Sequence, residues 1–322
     1  MNTVNAKRPF IYLCIAGVLA LGSAVITGLT PPPVAPSATA QQPPPPASGP
    51  ACTEKPLASL RPQGQLPPPG QMPPGSTMET IQKRGRLVAG VDQGKYRLGF
   101  RNPTNGELEG SDIDVVKMIA QAIFGDSTKV QYVVLNIADR AKAAAEGRVD
   151  VVVNSFTVTC ERQKLVEFST AYVAAAQKIL VPTASGVTDV KQLAGQRVCT
   201  SRGSTTEVVL KKPEYGLDVV TYLNLPDCVL DLQRGRVAAV SSDDIILAGL
   251  AAQDPQTRVV GGPLDQAFYA IGMNKQQPDL VRFVNAVLEK GRDDGSLLAS
   301  NEKWMGQQLE VVPRPAEAEY RD

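Results

Sequence analysis

Arg162 closes a polar run, Asn154, Ser155, Thr157, Thr159 and Glu161, that follows directly on an apolar one. A guanidinium beside hydroxyls can grip a carboxylate with two parallel hydrogen bonds. A second cluster, Ser241-Ser242-Asp243-Asp244, offers two carboxylates that could hold a cation. One of these acids can instead cap the helix expected over 245–250, and Asp244 is the more natural cap. A third, Arg202-Gly203-Ser204-Thr205-Thr206-Glu207, enters a helix whose first N–H groups favour an anion. A Ser or Thr beside Gly also serves as a plain N-cap, and a lone Arg162 would pair with Glu161 or Glu167 on the surface.

The elements that must position these groups are legible in the pattern. Val149, Val151 and Val153 form a β-branched run behind Gly147, as expected of a strand covered on both faces of an α/β sheet. Ligands bind at the C-terminal ends of such strands, which is where Asn154 to Arg162 fall. Upstream, a helix ending at Gly85 precedes a strand over 87–91, then a polar loop through Asp92, Lys95, Tyr96 and Arg97. Asn102 to Gly106 reads as a hairpin turn. Asp112-Ile113-Asp114-Val115 opens an amphipathic helix, and strand 130–135 and helix 137–146 follow. Downstream, strands over 178–182, 198–199, 218–223 and 237–240 alternate with helices. Residues 268–274 lead back towards the first half, closed by helices over 280–290 and 297–304. Strand–helix–strand alternation predicts mostly parallel sheets.

The 322 residues suffice for two units with sizeable cores. Lys and Arg number 33 against 32 Asp and Glu, so no field favours nucleic acid. The chain has no His, which removes His-based triads, His metal sites and the usual near-neutral proton shuttle. Aromatics are 5%, too few for a base-stacking platform. No cofactor and no metal is implied.

The N-terminus carries Lys7 and Arg8, then an uncharged apolar run over 10–29, long enough to span a bilayer. We take residues 1–30 as an uncleaved anchor; the alternative is a signal peptide cut after Ala40. Proline dominates 31–75, which reads as an extended spacer with the fold beginning near Thr77.

The central stretch resembles family 3 periplasmic solute-binding proteins for polar amino acids, particularly the actinobacterial glutamate/glutamine type. Asp150-Val151-Val152, Thr157-Val158-Thr159-Cys160-Glu161-Arg162, Glu167-Phe168-Ser169-Thr170-Ala171-Tyr172 and Ser242-Asp243-Asp244-Ile245-Ile246-Leu247-Ala248-Gly249 carry the likeness. The resemblance implies a two-lobed Venus-flytrap α/β fold, lobe 1 from 76–175 and 268–315, lobe 2 from 176–267. It implies that Arg162 and Thr157 bind an amino acid's α-carboxylate, with the Ser155 main chain nearby. Thr205 would add a main-chain donor from lobe 2, and Asp243 would hold the α-ammonium. Ser111 stands where relatives place an aromatic residue. Lys95 or Arg97 could meet a side-chain carboxylate, and Asn154 could bond an acid or an amide. Glutamate or glutamine is the expected ligand, then aspartate or asparagine. An ABC permease is the expected partner of a monomeric, membrane-tethered binding protein. A membrane signalling partner is one rival. Another is an enzyme, since dehydratases share the fold, with Glu161 or Glu207 as acid.

Cys14 lies in the apolar run. The other four cysteines, an even number in an oxidising compartment, are expected as Cys199–Cys228 and Cys52–Cys160. A four-thiolate zinc site lacks the paired spacing it would need.

Overall fold

The computed structural model describes residues 56–306 and 312–322. The expected anchor, residues 31–55 of the spacer, Cys14 and Cys52 lie outside the described residues. Among the described residues no helix is long and apolar enough to cross a membrane.

The chain enters through α1 (Thr77–Arg84), which starts where the Ser76 hydroxyl accepts from the Glu79 N–H and stops at a left-handed Gly85. Strand β1 (Leu87–Val91) is followed by a small sheet of β2 (Gly94–Lys95), β3 (Gly99–Arg101) and β4 (Leu108–Glu109), the last two joined by the expected turn at Asn102 to Gly106. Then come α2 (Ser111–Phe124), β5 (Val130–Val134), α3 (Arg140–Ala145), β6 (Val151–Val152), α4 (Cys160–Gln163) and β7 (Val166–Phe168). Strand β8 (Val173–Pro182) carries the chain into lobe 2, built from β9 (Arg197–Ser201), α5 (Thr205–Leu210), β10 (Asp218–Tyr222), α6 (Leu225–Gln233), β11 (Ala239–Asp243) and α7 (Asp244–Gln253). Strand β12 (Thr257–Tyr269) returns to β13 (Gly272–Asn274), α8 (Pro278–Asp293) and α9 (Ser296–Met305).

The lobe 1 sheet runs β5-β1-β6-β13-β7, and the lobe 2 sheet runs β10-β9-β11-β8-β12. In each, two pairings are parallel (β1 with β5 and β6; β9 with β10 and β11) and two are antiparallel. The sheets are therefore mixed, not mostly parallel. Strand–helix–strand units give parallel neighbours only within a run. Here β8 and β12, which cross between the lobes, and β13, which follows the second crossing, run against the strands beside them.

The spacer reading is corrected for residues 56–75. Ser59 bridges to Tyr320, its hydroxyl donates to the Phe168 carbonyl at 2.6 Å, and Met72 joins the core at 6% exposure. Proline bars this segment from helix and sheet, but its apolar side chains still gain by docking. Lobe 1 likewise continues past 315: Arg321 donates to the Ala58 carbonyl and pairs with Glu167.

Cys199 and Cys228 form the expected disulfide, Cα atoms 5.5 Å apart, joining β9 to α6 inside lobe 2. Cys160 is also disulfide-bonded.

Candidate functional site

The valine run folds as expected into a strand core, and the chain leaves β6 through buried Asn154 and Ser155. Ser155 adopts φ 43°, a left-handed conformation that costs a non-glycine residue about 1–3 kcal/mol. Its surroundings hold it there. Asp112 Oδ2 accepts its N–H at 2.8 Å, Arg140 Nη1 donates to its carbonyl at 3.0 Å, and Lys95 Nζ lies 3.1 Å from its hydroxyl. Asp112 opens α2, is fully buried, and accepts from the Tyr172 hydroxyl at 2.6 Å. Burial pushes its pKa up, against the Tyr172 and Ser155 donors and the Lys95 charge.

Lys95 lines the cleft and is bonded to lobe 1's own groups. Its ammonium meets Asn154 Oδ1 at 2.7 Å, Ser155 Oγ at 3.1 Å and Asp92 at 3.3 Å, which uses its three donors. Asn154 is spent in the same way, since its amide also donates to the Leu135 carbonyl. Arg97 donates to the Trp304 carbonyl and lies over the Tyr96 ring, 5.2 Å from its centroid. Ser111 begins α2, buried, its hydroxyl without a hydrogen-bond partner. Lys95 and Asn154 thus brace the turn at Ser155 within lobe 1.

Arg162 sits in the single turn of α4, capped by Thr159, whose hydroxyl accepts the Arg162 N–H. Its guanidinium donates to the Thr157 carbonyl at 2.7 Å and, across the lobes, to the Gly203 carbonyl at 3.4 Å. Burial lowers its pKa to about 10, opposed by the Asp243 charge, so it stays cationic at neutral pH. Beside it lies Arg140, 2% exposed, donating to the carbonyls of Ile137, Asn154 and Ser155. Burial, then the Arg162 charge, push Arg140 down to about 9. Both guanidiniums lie over the Phe156 ring, at 4.6 and 5.2 Å.

Lobe 2 presents the opposite charge. The expectation of Asp244 as cap is corrected: Asp244 is the first residue of α7, its Oδ1 accepting the N–H groups of Ile245 and Ala176. Asp243 holds the N-cap position, but its side chain makes no cap bond. It is 5% exposed, its Oδ2 accepts from the Tyr269 hydroxyl, and its Oδ1 is buried with no hydrogen-bond partner. Burial pushes its pKa up. Thr205 is the first residue of α5 behind the Ser204 cap, while Thr206 is tied to the Thr200 and Ser204 hydroxyls at 2.6 and 2.7 Å.

A family model for the bacterial extracellular solute-binding proteins, family 3, matches residues 87–307. The chain belongs to that family.

This solute-binding protein is 32% identical over 230 residues to the ABC transporter glutamine-binding protein GlnH of Bacillus subtilis, across 71% of this chain and 84% of that one. It is 28% identical to the glutamate-binding protein GluB of Corynebacterium efficiens, across 71% and 82%. Among solved structures, the solute receptor for L-cysteine of Neisseria gonorrhoeae superposes with a TM-score of 0.71 at 27% identity, covering 75% of this chain and all of that one.

The lobes of this solute-binding protein touch along the cleft. A Cβ on Gly203 would lie 3.3 Å from Ala138, and one on Gly249 would lie 2.8 Å from the Tyr96 carbonyl. Between them opens a cavity of about 320 Å³ lined by Asp92, Lys95, Asn136, Ser201, Asn224 and Asp227, among others. The structure brings Arg162, Thr157 and Ser155 together and sets Asp243 within electrostatic reach of Arg162. Sequence reasoning missed Arg140, Asp112 and Tyr269. A signal existed for Arg140, which shares a helical face with buried Ala143 and Ala144.

Proposed function

We propose that this chain binds one polar amino acid between its lobes, glutamate or glutamine first and aspartate or asparagine next. Arg162 and Thr157 would take the α-carboxylate, and Asp243 the α-ammonium. The observation that carries the reading is the buried Asp243 Oδ1 without a donor, on the lobe opposite the half-buried Arg162 guanidinium. A zwitterion would supply a donor to Asp243 and a carboxylate to Arg162, and burial of each charge is tolerable only when each is paired. Ligand contacts split between lobes favour the closed form by differential affinity. The named ligands of the GlnH and GluB relatives support the choice. Arg140 favours an acidic side chain: it is a buried cation beside Arg162, and the groups that accept from it are the neutral backbone carbonyls of Ile137, Asn154 and Ser155.

The bound amino acid would be delivered to an ABC permease, outside the cytoplasm, from a membrane-tethered monomer. Binding would proceed without chemical conversion. Glu161 is 81% exposed and paired with Lys164, and Glu207 is held by the Gly203 N–H and Lys211. Neither carboxyl stands poised as an acid in the cleft.

Calorimetry of the full chain against the twenty amino acids tests the reading. We expect saturable one-to-one binding of L-glutamate or L-glutamine. Binding of none of the twenty, or equal binding of apolar ones, would overturn it.

A further inference from the structure

Strand β12 ends at Tyr269, against Val173 at the start of β8, so both crossover strands meet there. Tyr269 is fully buried at the end of the crossover strand, and its backbone contacts lobe 1. Its carbonyl accepts the Tyr172 N–H at 2.8 Å, and it bridges to Thr157. Its hydroxyl points the other way and donates to Asp243 Oδ2 in lobe 2. One residue of the crossover thus touches the chain segments assigned to both charged ends of the ligand.

A buried carboxylate keeps its charge only if donors replace lost water. The charged and titratable groups around Asp243 are Asp244 on α7, Lys95 on β2, Arg140 on α3, Arg162 on α4 and Tyr269 itself. Asp244 opposes ionisation, and the three cations, each hydrogen-bonded elsewhere, favour it only through space. Tyr269 is the group that supplies a hydrogen bond. With Oδ2 so occupied, Oδ1 is the oxygen left for an incoming donor.

We propose that Tyr269 is a positioning residue for recognition: its hydroxyl keeps the Asp243 carboxylate ionised and turned so that Oδ1 receives the ligand's ammonium, and it ties that contact to the crossover strands. The inference rests on the reading of Asp243 as the ammonium's partner.

The test is the affinity of the full-length chain for L-glutamate and L-glutamine between pH 8 and pH 5, in wild type, Tyr269→Phe, Asp243→Asn and the double variant. Losing a hydrogen bond to a charged group should weaken Tyr269→Phe by about ten-fold near pH 7. Without the donor the carboxyl protonates at higher pH, so the deficit should widen as pH falls. In the Asp243→Asn background, Tyr269→Phe should remove little of the residual affinity, because its effect passes through the missing charge. Wild-type affinity with an unchanged pH profile in Tyr269→Phe, alongside lost binding in Asp243→Asn, would overturn this inference alone. So would an equal loss from Tyr269→Phe in both backgrounds. Wild-type affinity in Asp243→Asn would sink the underlying reading instead. Should Tyr269→Phe melt early, the wild-type protein still answers by NMR. The Tyr269 phenolic carbon should shift on addition of ligand, and a stationary signal would overturn the inference.

Discussion

The two walls of the cleft differ in how complete they are without a ligand. Around Ser155 lobe 1 is a nearly finished frame: Lys95, Asn154, Ser155, Arg140 and Asp112 hold one another, down to a strained Ser155 held from three sides, although the nearby Ser111 hydroxyl is buried without a partner. Lobe 2 is unfinished, with Asp243 Oδ1 buried and bare. The difference assigns two roles. On the proposed reading, lobe 1 would fix where a ligand's carboxylate sits, and lobe 2 would gain its missing partner when the ligand bridges the gap, so that closure follows from charge pairing.

Breaking the finished wall should cost most. Arg162→Ala leaves a buried ligand carboxylate without its main partner, for a loss of about 2–5 kcal/mol, or tens- to thousands-fold in affinity by titration calorimetry. Arg162→Lys should rescue only in part, since an ammonium lacks the two-pronged geometry.

The unfinished wall should show a trade between binding and stability. Asp243 has its folded pKa raised by burial, so the unliganded fold binds that proton more tightly than the unfolded chain does. Its ionised form therefore destabilises the unliganded protein at neutral pH, and the penalty fades as pH falls from the folded pKa towards 3.8. Asp243→Asn should raise the unliganded melting temperature at pH 7, abolish the ligand-induced rise, and weaken binding by about 2 kcal/mol or more. A variant that melts lower and still binds would contradict the contrast between the walls.

A smaller effect is expected where the lobes meet. Gly249 lies within α7, where alanine is intrinsically favoured by roughly 1 kcal/mol, yet its Cβ would press on the Tyr96 carbonyl. Gly249→Ala should leave unliganded melting unchanged or higher while weakening binding by about ten-fold, mainly through faster release in stopped-flow traces. The smallest effect on affinity belongs to Cys199→Ser with Cys228→Ser. It should cost about 2–4 kcal/mol of stability, read as a lower melting temperature, with binding largely retained once folded.

Much of this was legible in the chain alone. The valine run, its polar end, the paired acids and the cysteine count are local signals, and a β-branched stretch bounded by glycine and polar residues leaves few readings. Arg162, Thr157 and Asp243 were readable as candidates because they stand at a strand end and a helix start.

Other features depended on distance. Lys95 reads as a candidate ligand contact, and only the fold shows its donors meeting Asn154 and Ser155, 59 and 60 positions along. The mixed sheets follow from crossover strands whose direction no local pattern records. Residues 56–75 read as spacer because proline forbids regular structure, while docking depends on a surface built by residues far along the chain. Arg140 and Tyr269 acquire meaning only when packing removes water and leaves each charge and hydroxyl to the neighbours that the tertiary fold supplies.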